Sequence, residues 1–139
     1  MTREELEHII RASADITGQY EFIIVGSQSI LGPVPNPESV FTMSAEADIY
    51  PLQAPDLAEK IDGAMGEGSQ FHETHGYYAQ GVGPDTAILP SGWLERVHRA
   101  CARPMRSNHC GKRPRPSKGP GSNIPMPGFS YAQTSVWRC

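Results

Sequence analysis

Residues 22–25 read Phe-Ile-Ile-Val and stop at Gly26-Ser27. A short, branched apolar run bounded by glycine has the length of a buried strand and is too brief for a helix. The glycine lets backbone amides approach a ligand closely, and the serine offers a hydroxyl to the same place. A second strand-like stretch at 45–50 carries Glu46-Ala47-Asp48. Strand alternation directs both of its carboxylates to one face. Two adjacent carboxylates repel each other, and a divalent cation removes that repulsion. Mg²⁺ takes carboxylate oxygens together with substrate phosphates, so the pattern suits phosphoryl-transfer chemistry.

The flanking segments supply helices. Thr2-Arg3-Glu4-Glu5 is a capping box, with Thr2 as N-cap. The helix it opens places Leu6, Ile9, Ile10 and Ala14 on one face and stops at Gly18. Ser27 is expected to N-cap a short helix to Leu31, which Gly32, Pro33, Pro35 and Pro37 prevent from continuing. Pro55-Asp56 begins another helix through Met65, with Leu57, Ile61 and Met65 four apart and Gly66 after it. Tyr77–Val82 and Thr86–Leu89 read as two short strands turning at Gly83-Pro84-Asp85. The expected fold is α/β (α+β): a small mixed β-sheet covered by helices on one face.

Charge divides the chain at about residue 100. All fifteen Asp and Glu precede it with only five Lys and Arg, whereas the remaining seven basic residues follow it without one acid. Residues 101–139 hold six prolines and few aliphatic side chains, so they are expected to be a disordered basic tail on a 1–100 domain. The run Lys112-Arg113-Pro114-Arg115-Pro116 could neutralise RNA phosphates but lacks interleaved aromatics, so sequence-specific recognition is not expected. Cys101, Cys110 and Cys139 match no Cys-x-x-Cys metal spacing and are odd in number, which argues against both metal and disulfide roles. No stretch approaches the roughly 20 apolar residues of a membrane span. The start is acidic rather than signal-like, so a cytoplasmic protein is expected.

Gly26-Ser27 followed by Glu46-Ala47-Asp48 resembles the signature of the nucleotidyltransferase superfamily of the polymerase-beta type. Gly-Ser-Gln-Ser-Ile-Leu-Gly at 26–32 and Leu89-Pro90-Ser91-Gly92-Trp93 are similar to small bacterial members related to toxin–antitoxin, abortive-infection toxins. The resemblance covers about residues 1–100. It implies transfer of a nucleoside monophosphate from a nucleoside triphosphate to a hydroxyl of RNA, protein or a small molecule. Glu46 and Asp48 would be catalytic metal ligands for Mg²⁺, and Gly26 and Ser27 would bind nucleotide phosphate. A third carboxylate, the base for the acceptor, belongs on a later strand in such proteins. Asp85 is the acid available there, although Pro84-Asp85 equally reads as an ordinary turn.

Relatives of this kind continue past the Trp93 segment with helices that help grip the nucleotide. Here the chain turns proline- and arginine-rich, which suggests a truncated domain with a frameshifted end. A catalytically impaired remnant, or a non-enzymatic partner in a toxin–antitoxin pair with an antitoxin as binding partner, therefore stands as the alternative. His72 and His75 flank Glu73 in what reads as an exposed loop, Trp93 and Leu94 read as anchors to the sheet, and Arg96 as a structural side chain.

Overall fold

The computed structural model describes residues 1–89, 91–102 and 134–139. Helix α1 spans Arg3–Thr17. Its capping box forms in full: Thr2 Oγ1 accepts from the Glu5 amide and Glu5 Oε2 accepts from the Thr2 amide, at 3.3 and 2.7 Å. Gly18 ends it at φ 68°, a left-handed conformation that suits a residue without a side chain. Leu6, Ile9, Ile10 and Ala14 are buried, as their spacing predicts. Glu7 is buried beside them, ion-paired to Arg3 at 2.9 Å and Arg11 at 3.8 Å on the turns before and after it.

Five strands follow: β1 Glu21–Val25, β2 Glu46–Pro51, β3 Tyr78–Gly81, β4 His98–Cys101 and β5 Thr134–Arg138, in the order β3-β2-β1-β5-β4. β2 and β5 both pair antiparallel with β1, while β3 runs parallel to β2 and β4 parallel to β5. The sheet is thus mixed, with β1 at its centre and opposed in direction to the other four strands. The apolar run of β1 follows from that central place, because both of its faces are covered. Phe22 and Ile24 join α1, Ile49, Trp137 and the α2 residues Ile61 and Met65 in the larger core, where α2 is Ala58–Met65. Ile23 and Val25 face the other way, packing with Tyr50 and Val136 and with the partly buried Ala87, Trp93 and Val97.

Several sequence expectations are corrected. Thr86–Leu89 forms no strand; Pro84–Thr86 is a 3₁₀ turn and Ala87 packs onto the second face of the sheet. Pro84 fixes φ there and has no amide hydrogen to donate, which favours the turn over a strand. His72 and His75 lie on helix α3, Gln70–His75, capped by Ser69, rather than in a loop. Trp93 packs as expected on helix α4, Trp93–Arg96, but Leu94 is exposed.

The sheet takes in residues on both sides of the expected boundary at residue 100. Cys101 ends β4, Ala102 donates to the Arg138 carbonyl, and Thr134–Arg138 is an interior strand with Trp137 fully buried. The short Thr-Ser-Val-Trp-Arg stretch cannot bury its own side chains; pairing with β1 across more than a hundred residues does so. The basic run at 112–118, Cys110 and the possibility of a frameshifted segment there lie outside the described residues, as does the side chain of Arg96.

Candidate functional site

Antiparallel pairing brings the end of β1 beside the beginning of β2, with Val25 opposite Asp48. Gly26, the next residue, therefore arrives at the Asp48 carboxylate. Parallel pairing sets Tyr78 of β3 level with Glu46, and Gln80 level with Asp48. Paired positions share a face, so Glu46, Asp48, Tyr78 and Gln80 lie together at one end of the sheet, with Gly26 against Asp48. Ala47 and Ile49 point the other way into the larger core. The alternation expected of Glu46 and Asp48 is thus the observed one.

Glu46 and Asp48 are both half-buried. Tyr78 donates its hydroxyl to Glu46 Oε2 at 2.9 Å. The Asp48 carboxyl titrates above its ordinary range, first because burial disfavours its charge, then because of the neighbouring Glu46 charge. The Tyr78 phenol is pushed up to about 12, chiefly by its hydrogen bond to Glu46. Two carboxylates and a phenol hydroxyl are thus gathered at this end of the sheet.

Gly26 adopts φ 76°, ψ −156°, a region essentially restricted to glycine. Its carbonyl accepts from the Ser29 amide at 3.2 Å and the Ser29 hydroxyl at 2.7 Å, which closes the chain into the 3₁₀ turn Ser27–Leu31. Ser27 is the first residue of that turn and does not act as its N-cap, because the preceding residue in the capping position is Gly26. Both Gly26 and Ser27 are exposed. Gln28, 1 % exposed, donates toward Ser27 Oγ at 3.4 Å, and its buried Oε1 has no hydrogen-bond partner among the described residues.

Asp85 does not join the pair. It sits exposed on the 3₁₀ turn Pro84–Thr86, and among the described residues no three His, Cys, Asp or Glu side chains converge as a metal-binding group. His72 and His75 also part company. The His72 ring lies 4.6 Å from that of Tyr78, while the His75 ring packs 4.8 Å from that of His8. Cys139 is exposed and carries a free thiol.

The donor set of Glu46 and Asp48 consists of hard oxygens and suits Mg²⁺, which commonly binds through one or two protein carboxylates and completes its shell with water and phosphate. Tyr78 and Gln28 are the residues that sequence reasoning missed. Tyr78 is legible only once β3 is known to run parallel to β2 in that register, and Gln28 only once its burial is known. Among the described residues no helix is long and apolar enough to cross a membrane. No protein-family model, no curated protein and no solved structure matches this chain.

Proposed function

We propose that this chain is a nucleotidyltransferase-like protein that binds a nucleoside triphosphate with Mg²⁺ at the Glu46–Asp48 end of the sheet. The observation that carries this reading is the convergence of a carboxylate pair with the glycine-only turn at Gly26: the Asp48 Oδ2 lies where a side chain on residue 26 would come within 3.1 Å. Glu46 and Asp48 would hold the cation, and the Gly26–Ser27 backbone and the Ser27 hydroxyl would meet phosphate oxygens beside it. Bound Mg²⁺ would supply charge neutralisation of the triphosphate and of the developing negative charge. The reaction is attack of an acceptor hydroxyl oxygen on the α-phosphorus. The bond from that phosphorus to the bridging oxygen breaks, pyrophosphate leaves, and the hydroxyl proton passes to a base. The acceptor class is an RNA, protein or small-molecule hydroxyl.

One observation favours a second reading. A carboxylate able to take the acceptor proton does not stand beside Glu46 and Asp48 among the described residues. General-base catalysis contributes typically about 10²–10⁴-fold in rate. A chain that binds nucleotide and transfers it slowly, as a catalytically impaired remnant or a non-enzymatic toxin–antitoxin partner, is therefore the alternative.

Calorimetric titration of the chain with each nucleoside triphosphate, with and without Mg²⁺, separates these readings from none. Mg²⁺-dependent binding that disappears in Asp48→Asn is expected, and nucleotide affinity indifferent to both Mg²⁺ and Asp48 would sink the site. Incubation with labelled triphosphate, Mg²⁺ and bulk RNA then distinguishes the enzyme, which transfers label, from the remnant, which does not.

A further inference from the structure

We propose that Tyr78 is a positioning residue for Glu46, holding one carboxylate oxygen so that the other is presented, beside Asp48, to a divalent cation. The proposal rests on the reading of Glu46 and Asp48 as a cation site. A glutamate side chain has three rotatable bonds, and a free one spreads its carboxylate over many rotamers. Here Oε2 is fixed by the Tyr78 hydroxyl at 2.9 Å.

Tyr78 is itself supported from outside the strand. Its ring packs against that of His72, with centroids 4.6 Å apart and planes at 45°. His72 is fixed on α3 in turn: its Nδ1 accepts from the Gly68 amide at 3.0 Å and its own amide donates to Ser69 Oγ at 3.2 Å. A continuous chain of contacts therefore runs from the N-terminal turn of α3 through His72 and Tyr78 to Glu46. The sheet alone would set the height of Glu46 but not the direction of its carboxylate. Partners that orient metal-binding carboxylates are worth typically about 10–100-fold in metal affinity.

Mn²⁺ alone serves as the probe, with the free ion counted by electron paramagnetic resonance against wild type, Tyr78→Phe, Glu46→Asp and the double variant. Tyr78→Phe keeps the ring on His72 and removes only the hydroxyl, so it preserves the packing of β3. The expected result is about 10–100-fold weaker Mn²⁺ binding. In Glu46→Asp, where a shorter side chain withdraws the carboxylate from residue 78, the same change should have little further effect. His72→Ala should weaken binding in the same direction. Tyrosine near-ultraviolet circular dichroism should respond to Mn²⁺ in wild type and lose that response in Tyr78→Phe. Equal affinity of wild type and Tyr78→Phe, with Asp48→Asn still abolishing binding, overturns the role of Tyr78 and leaves the cation site standing. An undiminished effect in the Glu46→Asp background overturns it as well, because the hydroxyl would then act elsewhere. Failure of the wild type to bind Mn²⁺ overturns both.

Discussion

The Asp48 carboxylate lies against the α-carbon of Gly26: a Cβ added there would stand 3.1 Å from Oδ2. The first residue beyond β1 and the third residue of β2 are thereby locked together, and neither position is free to vary independently. Gly26→Ala should cost about 1–3 kcal/mol for the backbone conformation alone, since φ 76°, ψ −156° is disfavoured for any residue with a side chain. The same methyl group pushes on Asp48. Chemical denaturation and Mn²⁺ titration of this variant should therefore show both lower stability and weaker cation binding.

Asp48→Asn should bind no divalent cation yet be at least as stable as wild type at neutral pH without metal. The carboxyl titrates above its ordinary value of 3.8 because of burial and the Glu46 charge. An acid with a raised folded value contributes stability below its unfolded value and loses it as pH rises through the folded value. Wild type should thus lose stability on that rise, and Asp48→Asn should flatten this part of the curve. Thermal melts from acid to neutral pH check the sign; a variant markedly less stable than wild type at neutral pH contradicts it.

A second pH effect should come from the packing of α1 on α3. His8 Nδ1 lies 2.6 Å from the Tyr77 hydroxyl, and its ring packs against Phe71 and His75. Burial, then His75 and Arg11, lower its titration below the ordinary 6.5. The unfolded chain therefore binds a proton more readily, and stability should fall as pH drops below 6.5. His8→Gln keeps a hydrogen-bonding group for Tyr77 without a titrating ring, and should remove that component of the acid sensitivity in denaturation curves at several pH values.

Trp137 should be among the most costly side chains to truncate. It is fully buried, its Nε1 donates to Ser135 Oγ at 2.9 Å, and the Arg3 guanidinium lies 4.7 Å over its ring. Trp137→Ala should destabilise the fold by about 3–5 kcal/mol, the range for large aromatic deletions in cores. Removing 134–139 altogether takes away a neighbour of both β1 and β4 and should abolish cooperative unfolding. Near-ultraviolet circular dichroism and urea melts test both changes, and native-like melts of the shortened chain would show β5 to be dispensable.

Features decided by residues near one another along the chain were legible directly. The Thr2–Glu5 capping box, the Leu6–Ala14 stripe and the stop at Gly18 are local, and all three appear where the pattern put them. So does the facing of Glu46 and Asp48, because the two-residue period of a strand allows nothing else. What the sequence could not indicate was where each strand pairs. Thr134–Arg138 looked like part of a basic tail because nothing nearby could cover Trp137, and Thr86–Leu89 looked like a strand because its composition permits one. Pairing energies come from partners far away in sequence, and a short apolar stretch carries no record of its partner. The carboxylates and the glycine turn of the candidate site were thus set by local chemistry. Their union with Tyr78, and the separation of Asp85 from them, were decided by the parallel register of β3 on β2 and by the turn at Pro84.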